Sequence, residues 1–534
     1  MNAVQGATTL WELLQARAAK TPDAPMLIDT DERVWSFAAV ARETERVAAG
    51  LRALGVTRGS KVTWQLPTRA DAVFVSLALC RLEAIQNPVI HLYGRREVSA
   101  IVEQFRPAFY LVPADVSRSG AGDPAEWVAD ASAGFEAPPR IVAVPDDIDA
   151  ALAGGDVPPP SHSRTAVAPH PDVVAARVPR WVYYTSGTTA APKGVLHSDA
   201  TLLASGREYG RALGLNRADV GAIAFPYAHV GGTMNIVMLL DLGMSAVLLA
   251  KFSAEAAAAL YRRHGVTQNS GSVAHYTAFL AEQRRQPAQP IVPTLRLLSG
   301  GGAAKPANLF FEARAELRCT ILHCYGMTEA PMVTSASPAH TDEQLAATDG
   351  LPVSGMQIKI LRADGTRAAP GESGDIWIRG DTLCHGYSDP ALTAQGFDAE
   401  GFFNTGDVGQ QRADGHIVLT GRSKDIIIRK GENISAREIE DLLGQHPKVA
   451  AVAVIGLPDA ERGERVCAVI ESCAPDAPLS FAEMRTFFEA AGIMRQKIPE
   501  QLEIVERMPR NETFNKILKF KLREQFAAAP SPAG

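Results

Sequence analysis

The densest anion-binding chemistry in this chain lies between Tyr184 and Val195, which read Tyr-Thr-Ser-Gly-Thr-Thr-Ala-Ala-Pro-Lys-Gly-Val. Thr185, Ser186, Thr188 and Thr189 offer hydroxyl donors, and Lys193 adds a mobile point charge. Gly187 and Gly194 let backbone N–H groups turn toward an anion and approach it closely. A polyphosphate needs that combination, and a packed core does not. The run follows the strand-like Trp181-Val182-Tyr183-Tyr184. It is not a Walker loop, which places Gly-Lys-Ser/Thr four residues after its first glycine. Here five residues separate Gly187 from Lys193, and Gly194 takes the Ser/Thr position. Gly300, Gly302 and Lys305 spell G-x-G-x-x-K, which lacks the third glycine of a dinucleotide fingerprint.

Five further segments carry reactive or ligating groups in a fixed order. They are Phe225-Pro226-Tyr227-Ala228-His229-Val230-Gly231-Gly232, Tyr325-Gly326-Met327-Thr328-Glu329 and Phe403-Asn404-Thr405-Gly406-Asp407. Then come Gly421-Arg422-Ser423-Lys424-Asp425, continuing to Gly431-Glu432-Asn433-Ile434, and Lys516-Ile517-Leu518-Lys519. With these motifs the chain resembles the adenylate-forming superfamily of acyl-CoA synthetases, peptide-synthetase adenylation domains and beetle luciferases. The resemblance runs from about residue 8 to 525.

The resemblance implies a two-step reaction. ATP and a carboxylate form an acyl-adenylate and pyrophosphate, and a thiol then displaces AMP. A carboxylate attacking a phosphate brings two anions together, so Mg²⁺ and cationic donors are expected. By resemblance, Glu329 binds the metal and Thr328 bonds the α-phosphate. Thr185, Ser186, Gly187, Thr188, Thr189 and Lys193 hold the β- and γ-phosphates. Asp407 accepts from the ribose hydroxyls and Arg422 reaches the same region. Tyr325 stacks on adenine, beside Gly326 and the small-residue strip Gly301, Gly302 and Ala303. His229 stands at the mouth of the acyl pocket, orienting the carboxylate or gating thiol entry. Lys516 is the expected catalytic lysine. Relatives read Thr-Gly-Lys-Ile where this chain reads Thr513-Phe514-Asn515-Lys516-Ile517, so Lys519 and Lys521 stay open as alternatives. Asp425 falls at the family's hinge, and Gly431 lies in the loop facing the pantetheine channel, where Lys430 replaces a usual glycine or alanine.

The elements that must position these groups read as an α/β fold. Leu10, Leu13 and Leu14 share helical spacing, Ser36 precedes a helix running through Leu51, and Val62 to Leu66 reads as a strand. Residues 115–174 are rich in Ala, Pro, Gly, Asp and Ser and read as a loop. A second α/β stretch is expected from Trp181 to about Leu298, and a β-rich stretch from Gly355 to Leu419, punctuated by Asp364-Gly365, Pro370-Gly371 and Asp414-Gly415 turns. Beyond Gly421, Ile426 to Ile428 is a strand, Ser435 caps a helix with Ile439, Leu442 and Leu443 on one face, and Ala451 to Ile455 is a buried strand. Phe481, Met484, Phe487 and Phe488 mark another amphipathic helix. The expectation is thus a large N-terminal region over 1–424, made of two α/β subdomains and a β-rich subdomain. A small mobile α+β domain follows over 425–534.

Composition narrows the function classes. The chain has 534 residues, a formal net charge of −6 and no basic tract, which argues against nucleic acid as a partner. The N-terminus has neither a positive n-region nor an apolar h-region. Met234 to Ala250 contains Asp241 and Gly243 and is too short for a membrane span, so it is expected to be buried core. The six cysteines form no Cys-x-x-Cys pair, and a reduced cytosolic compartment follows.

The expected partners are a small-molecule carboxylate, ATP and CoA, and a homodimer is left open. The first reading is a free-standing acyl-CoA synthetase. An adenylation enzyme loading a carrier protein in trans and a non-catalytic acyl- or nucleotide-binding relative are the alternatives. The segment Phe225 to Gly232 has no acid to pair a substrate ammonium, which argues against amino acids. Gly326 stands where relatives that activate two-carbon acids carry Trp, so a deeper pocket is expected. A medium-chain, alicyclic, aromatic or steroid-derived acid would suit it.

Overall fold

The computed structural model describes residues 4, 6–115, 122–144, 177–185, 192–303, 305–429, 432–459, 462–491, 493–510 and 516–527. It is a mixed α/β protein that divides into two compact units. The first comprises Met1–Gln357 with Arg379–Asp398, and the second Ile358–Ile378 with Ala399–Gly534.

The first unit is built on two largely parallel sheets. Among the described residues one has six strands, ordered Arg140–Val144, Phe109–Pro113, Lys61–Trp64, Ile85–Pro88, Trp181–Tyr184 and Gly194–His197. All neighbours are parallel except the last two, which pair antiparallel with Tyr184 opposite Gly194. The other has nine strands. Its parallel centre runs Thr320–Tyr325, Leu297–Gly300, Gln268–Gly271, Val220–Ile223, Ser245–Leu248 and Pro25–Ile28. The chain passes from Val220–Ile223 to Ser245–Leu248 on one side and then to Gln268–Gly271 on the other. Strand order therefore reverses beside Val220–Ile223, which is where open α/β sheets place their ligand crevice.

Two sequence expectations need correcting. Trp181–Tyr184 does not open a second α/β stretch but completes the first sheet, where Gln86 pairs with Trp181 and Asn87 Nδ2 donates to Val182 O at 2.8 Å. The stretch expected to be loop contains the helix Pro124–Ala131 and the strand Arg140–Val144. Asp123 caps that helix, a proline occupies its first turn, and Trp127 and Val128 are buried. About two turns of helix with a buried apolar face outweigh a loop-like composition.

The helix Val230–Leu242 is buried at nearly every position, as its apolar sequence requires. It lies against the helix Asp199–Ala212, whose Gly206 and Gly210 let the backbones close. A Cβ at Gly206 would sit 2.5 Å from Val237 Cβ and 2.6 Å from Met234 O. Asp199 anchors the start of its helix: Oδ1 accepts from Trp181 Nε1 at 2.9 Å and Oδ2 from Leu10 N at 3.1 Å.

Among the described residues the second unit holds a four-stranded sheet and a five-stranded sheet. In the latter, Val449–Asp459 pairs along its length with Gly463–Ser472. Ser435 caps the helix Ala436–Leu443 through Glu438 N, and Ile439 and Leu443 are fully buried. The helix Phe481–Ala490 buries Met484 and Phe488, while Phe481 stays 40% exposed.

Gly206→Ala should lower the apparent melting temperature by several degrees, because the overpacked methyl costs about 1–3 kcal/mol. A thermal melt of the purified protein checks this, and an unchanged midpoint would show that the two helices can separate freely.

Candidate functional site

Of the phosphate-binding candidates, Thr185 and Lys193 lie among the described residues, and they face each other across a hairpin. Thr185 N donates to Lys193 O at 3.1 Å, closing the strands Trp181–Tyr184 and Gly194–His197 around the loop. A Walker loop joins a strand to a helix, so the local architecture differs as the spacing did. Ser186, Gly187, Thr188 and Thr189 lie outside the described residues.

A third segment stitches onto this hairpin. Leu196 N donates to Gly386 O at 2.9 Å, His385 N to Leu196 O at 2.8 Å, and Ser388 N to Gly194 O at 2.7 Å. That places Tyr387 between two candidates. Its hydroxyl donates to Glu329 Oε1 at 2.7 Å, and the Lys193 ammonium stands 5.3 Å from its ring centroid. Burial, and then the Glu329 carboxylate, push the Tyr387 hydroxyl far above the ordinary phenol range, so it remains a donor. Lys193 and Glu329 are thus brought together on one aromatic ring.

Thr328 and Glu329 belong to a tight loop after the strand Thr320–Tyr325. Met327 and Ala330 exchange backbone hydrogen bonds at 2.9 and 3.2 Å, and Cys384 N donates to Glu329 O at 2.7 Å. His197 Nε2–H donates to Thr328 O at 2.7 Å. Burial first, opposed by that carbonyl, lowers the His197 imidazole to about 4, so it acts as a neutral donor. Sequence reading missed both His197 and Tyr387. Each is a single polar residue whose partner is far along the chain, and the only local signal was an aromatic or imidazole amid small residues.

The glycine strip is a close-approach structure. Gly300 and Gly302 have φ of +127° and +85°. A Cβ at Gly301 would collide with Cys324 O, and one at Gly326 with Pro331 O. Gly326 is therefore required by its own backbone turn, independently of pocket depth. Gly302 and Ala303 are exposed, and Tyr325 is buried. Lys305 is buried and donates to Ala346 O at 2.6 Å, a backbone task.

His229 caps the helix Val230–Leu242, with Nδ1 accepting from Gly231 N at 3.1 Å and its ring edge-on to Phe225. Burial holds its imidazole at about 4. It is neutral at physiological pH, with its proton on Nε2.

In the second unit Asp407 and Arg422 are direct cross-strand partners. Arg422 Nε lies 2.9 Å from Asp407 Oδ1, and the carboxylate is almost wholly buried while the arginine is half exposed. Asp407 is set in place by the turn before it: Gly406 has φ +68°, and Asp407 N donates to Thr405 Oγ1 at 3.1 Å. Lys516 stands in the same electrostatic neighbourhood. Desolvation first, then the charge of Arg422, bring its ammonium down to about 8, against the pull of Asp407 and Asp425. Of the rival lysines, Lys519 pairs with Glu440 at 2.7 Å and Lys521 is exposed. Asp425 Oδ1 accepts from Arg523 Nη2 at 2.6 Å. Gly431 lies outside the described residues.

The donor set bears on a metal. Among the described residues no group of three or more His, Cys, Asp or Glu could hold an ion. One carboxylate, Glu329, fits Mg²⁺, which is commonly held by one or two protein carboxylates with substrate phosphates and water completing the octahedron.

Comparison with known proteins agrees with this chemistry. Residues 14–388 match the AMP-binding enzyme family, and residues 438–515 match the AMP-binding enzyme C-terminal domain. The chain is 30% identical over 528 residues to a medium-chain fatty-acid–CoA ligase of Escherichia coli, covering 97% of this chain and 90% of that one. It is 29% identical over 551 residues to a salicyl-AMP ligase / salicyl-S-ArCP synthetase of Mycobacterium tuberculosis, covering 98% and 92%. ATP-bound MatB from Rhodopseudomonas palustris superposes with a TM-score of 0.85 at 25% identity, covering 97% of this chain and 99% of that one. The chain belongs to the AMP-binding enzyme family, within the adenylate-forming superfamily. It is an acid–thiol ligase of the AMP-forming kind, working with ATP, Mg²⁺ and CoA. Among the described residues no helix is long and apolar enough to cross a membrane.

Lys516 should react with an amine-selective reagent at pH 8 faster than the bulk lysines, since more of it is unprotonated. Arg422→Ala should slow that labelling by raising the pKa, and Asp407→Asn should accelerate it. Peptide mapping of the modified lysine checks both signs, and identical rates in all three proteins would remove the electrostatic coupling.

Proposed function

We propose that this enzyme activates a medium-chain, alicyclic, aromatic or steroid-derived carboxylic acid as its acyl-adenylate and passes the acyl group to CoA. The observation that carries the reading is the Lys193–Tyr387–Glu329 arrangement at the base of the hairpin. A cation for departing phosphates and a carboxylate for their metal share one aromatic ring there.

In the first half-reaction a carboxylate oxygen of the acid forms a bond to the α-phosphorus, and the bond to the β-phosphate oxygen breaks. Pyrophosphate leaves. Lys193, with Thr185, Ser186, Gly187, Thr188 and Thr189, would stabilise that leaving group. Thr328 would donate to the α-phosphate, with its backbone fixed by His197. Glu329 would hold Mg²⁺, which supplies charge neutralisation on the phosphates when bound. Asp407 and Arg422 would hold the ribose, and Tyr325 with Gly326 and Gly301–Ala303 would border the base.

Lys516 would place positive charge beside the attacking carboxylate and the nucleotide. Its alternative Lys519 is committed to Glu440, which supports the assignment. In the second half-reaction the CoA thiolate attacks the acyl carbonyl carbon and AMP leaves with the bonding pair. Neutral His229, bearing its proton on Nε2, would orient the acid's carboxylate or gate the thiol. Residues near Gly431 would face the pantetheine arm. Asp425 would open the C-terminal catalytic domain, and the cytosol would be the site of action.

A second reading, loading of a carrier-protein thiol in trans, is favoured by the similarity to the salicyl-AMP ligase / salicyl-S-ArCP synthetase. Pyrophosphate release over a panel of carboxylates, with and without CoA, separates the readings. Release without any CoA thioester points to a carrier.

Lys516→Ala should cut acid-dependent pyrophosphate release at least a hundredfold, on the order of 3 kcal/mol of lost transition-state stabilisation. An unchanged rate would sink the assignment. The sign of the pH dependence follows from the depressed ammonium. Lys516 is charged below about 8 and loses its charge above it, so kcat/KM for adenylation should fall as pH rises through that value. Lys516→Arg should move the alkaline limb upward, out of the accessible range. A limb that stays in place assigns the ionisation elsewhere.

A further inference from the structure

The bond between the Tyr387 hydroxyl and the Glu329 carboxylate falls on one oxygen, Oε1, at 2.7 Å. Among the described residues Oε2 has no bonding partner, and Glu329 is only partly buried. The main chain around Tyr387 is fixed on several sides. Its N–H donates to Thr393 Oγ1 at 2.9 Å, Gly386 O accepts from Leu196 N, and Ser388 N donates to Gly194 O. Gly386 has φ +107°, and a Cβ there would sit 2.6 Å from Thr393 Cγ2. Cys384 N, donating to Glu329 O at 2.7 Å, ties the backbone of Glu329 to the same segment. The hydroxyl therefore reaches Oε1 from a fixed frame.

Packing does not explain that hydroxyl. Tyr387 is buried, and phenylalanine would fill the same space. It would also present the same ring to Lys193, whose ammonium stands 5.3 Å from the centroid. What tyrosine adds is an O–H donor. The donor is directed at a carboxylate, and that carboxylate is the one assigned to Mg²⁺. A group that hydrogen-bonds a metal-binding carboxylate fixes its orientation, and losing such a group costs about ten- to a hundredfold in metal affinity or activity.

Which oxygen is engaged decides which cation fits. A carboxylate with both oxygens free can grip a large ion bidentately, as it does in Ca²⁺ sites, which gather about six to eight oxygen ligands. Mg²⁺ is smaller and demands near-octahedral geometry. It is held by one or two carboxylates together with substrate phosphates and water. With Oε1 engaged by the hydroxyl, Glu329 presents Oε2 alone, which suits the smaller ion.

We propose that Tyr387 is a positioning residue that sets the metal preference of this site. Its hydroxyl occupies Oε1 of Glu329, so the carboxylate offers a divalent cation one oxygen and favours Mg²⁺·ATP over Ca²⁺·ATP. This rests on the reading of Glu329 as the metal-binding residue. The two parts of the Tyr387 side chain have separate tasks: the hydroxyl acts on the metal through Glu329, and the ring faces Lys193.

The test is the affinity of the full-length enzyme for ATP, measured by titration calorimetry in Mg²⁺, in Ca²⁺ and in EDTA. No carboxylic acid is added, so no turnover occurs. The unsubstituted enzyme should bind Mg²⁺·ATP more tightly than Ca²⁺·ATP, and both more tightly than metal-free ATP. Tyr387→Phe keeps the ring, so metal-free binding should be unchanged. The tightening that Mg²⁺ brings should fall roughly tenfold, and the preference for Mg²⁺ over Ca²⁺ should narrow. Glu329→Gln should abolish the tightening, and adding Tyr387→Phe to it should change nothing further. An undiminished Mg²⁺ effect in Tyr387→Phe overturns the proposal. So does equal weakening with and without metal, which is what a merely structural hydroxyl would give. If a thermal melt shows Tyr387→Phe unfolded, the unsubstituted enzyme decides: Ca²⁺·ATP bound as tightly as Mg²⁺·ATP overturns the proposal. A Mg²⁺ effect that survives in Glu329→Gln brings down the metal reading of Glu329 itself.

Discussion

The hydrogen bond from His197 Nε2 to the carbonyl of Thr328 is the contact on which the first unit's chemistry turns. His197 ends the last strand of the six-stranded sheet, and Thr328 follows a central strand of the nine-stranded one. The bond thus helps fix the spacing between the hairpin with Lys193 and the loop with Glu329. A neutral imidazole suits the task. Buried between packed elements, it donates without bringing in a charge that would need a partner. The segment Cys384–Ser388 reinforces the same joint, bonding to Glu329 O on one side and to Gly194 and Leu196 on the other. Each such bond is worth only about 1 kcal/mol net, but leaving one unmade in a buried joint costs more.

Glycines complete that constraint by letting backbones meet. At Gly301 and Gly326 the space of a Cβ is already taken by the carbonyls of Cys324 and Pro331. The strip thus brings main chain, with its oriented donors, to the exposed rim at Gly302 and Ala303. The same device works in the core, where Gly206 draws one helix onto another, against Val237 and the Met234 carbonyl. Small residues here set distances between polar groups as much as they relieve crowding.

Much of this was legible in the sequence because it is local. Ser36 and Ser435 cap the helices their hydroxyls announced, and the apolar run after His229 is a buried helix. The antiparallel pairing of Asp407 with Arg422 was hidden, but their motifs were not. What escaped reading is non-local. Leu27 pairs with Ala246, and Gln86 with Trp181, across separations no periodicity encodes. Tyr387 and His197 gain their meaning only from partners elsewhere in the chain. Gly326 has a backbone reason that sequence could not show, since the Pro331 carbonyl stands where its Cβ would be. Lys305, which ends the incomplete G-x-G-x-x-K run, bonds Ala346 O.

In the second unit Lys516, the proposed catalytic lysine, stands among several other cations. Arg422, Lys519 and Arg523 each lie within 3 Å of a carboxylate, those of Asp407, Glu440 and Asp425. Their charges are largely spent on holding strands and the helix Lys519–Phe526 in place. Lys516 directly precedes the Ile517 bridge to Arg510, so the chain fixes its position while its ammonium answers to the summed field of its neighbours. Desolvation and Arg422 weaken that charge, and Asp407 and Asp425 restore part of it. Arrival of an anionic nucleotide would add to the restoring side and favour the charged form. Bound phosphates would raise the pKa of such a lysine, so its protonation near pH 8 would depend on occupancy of the proposed site.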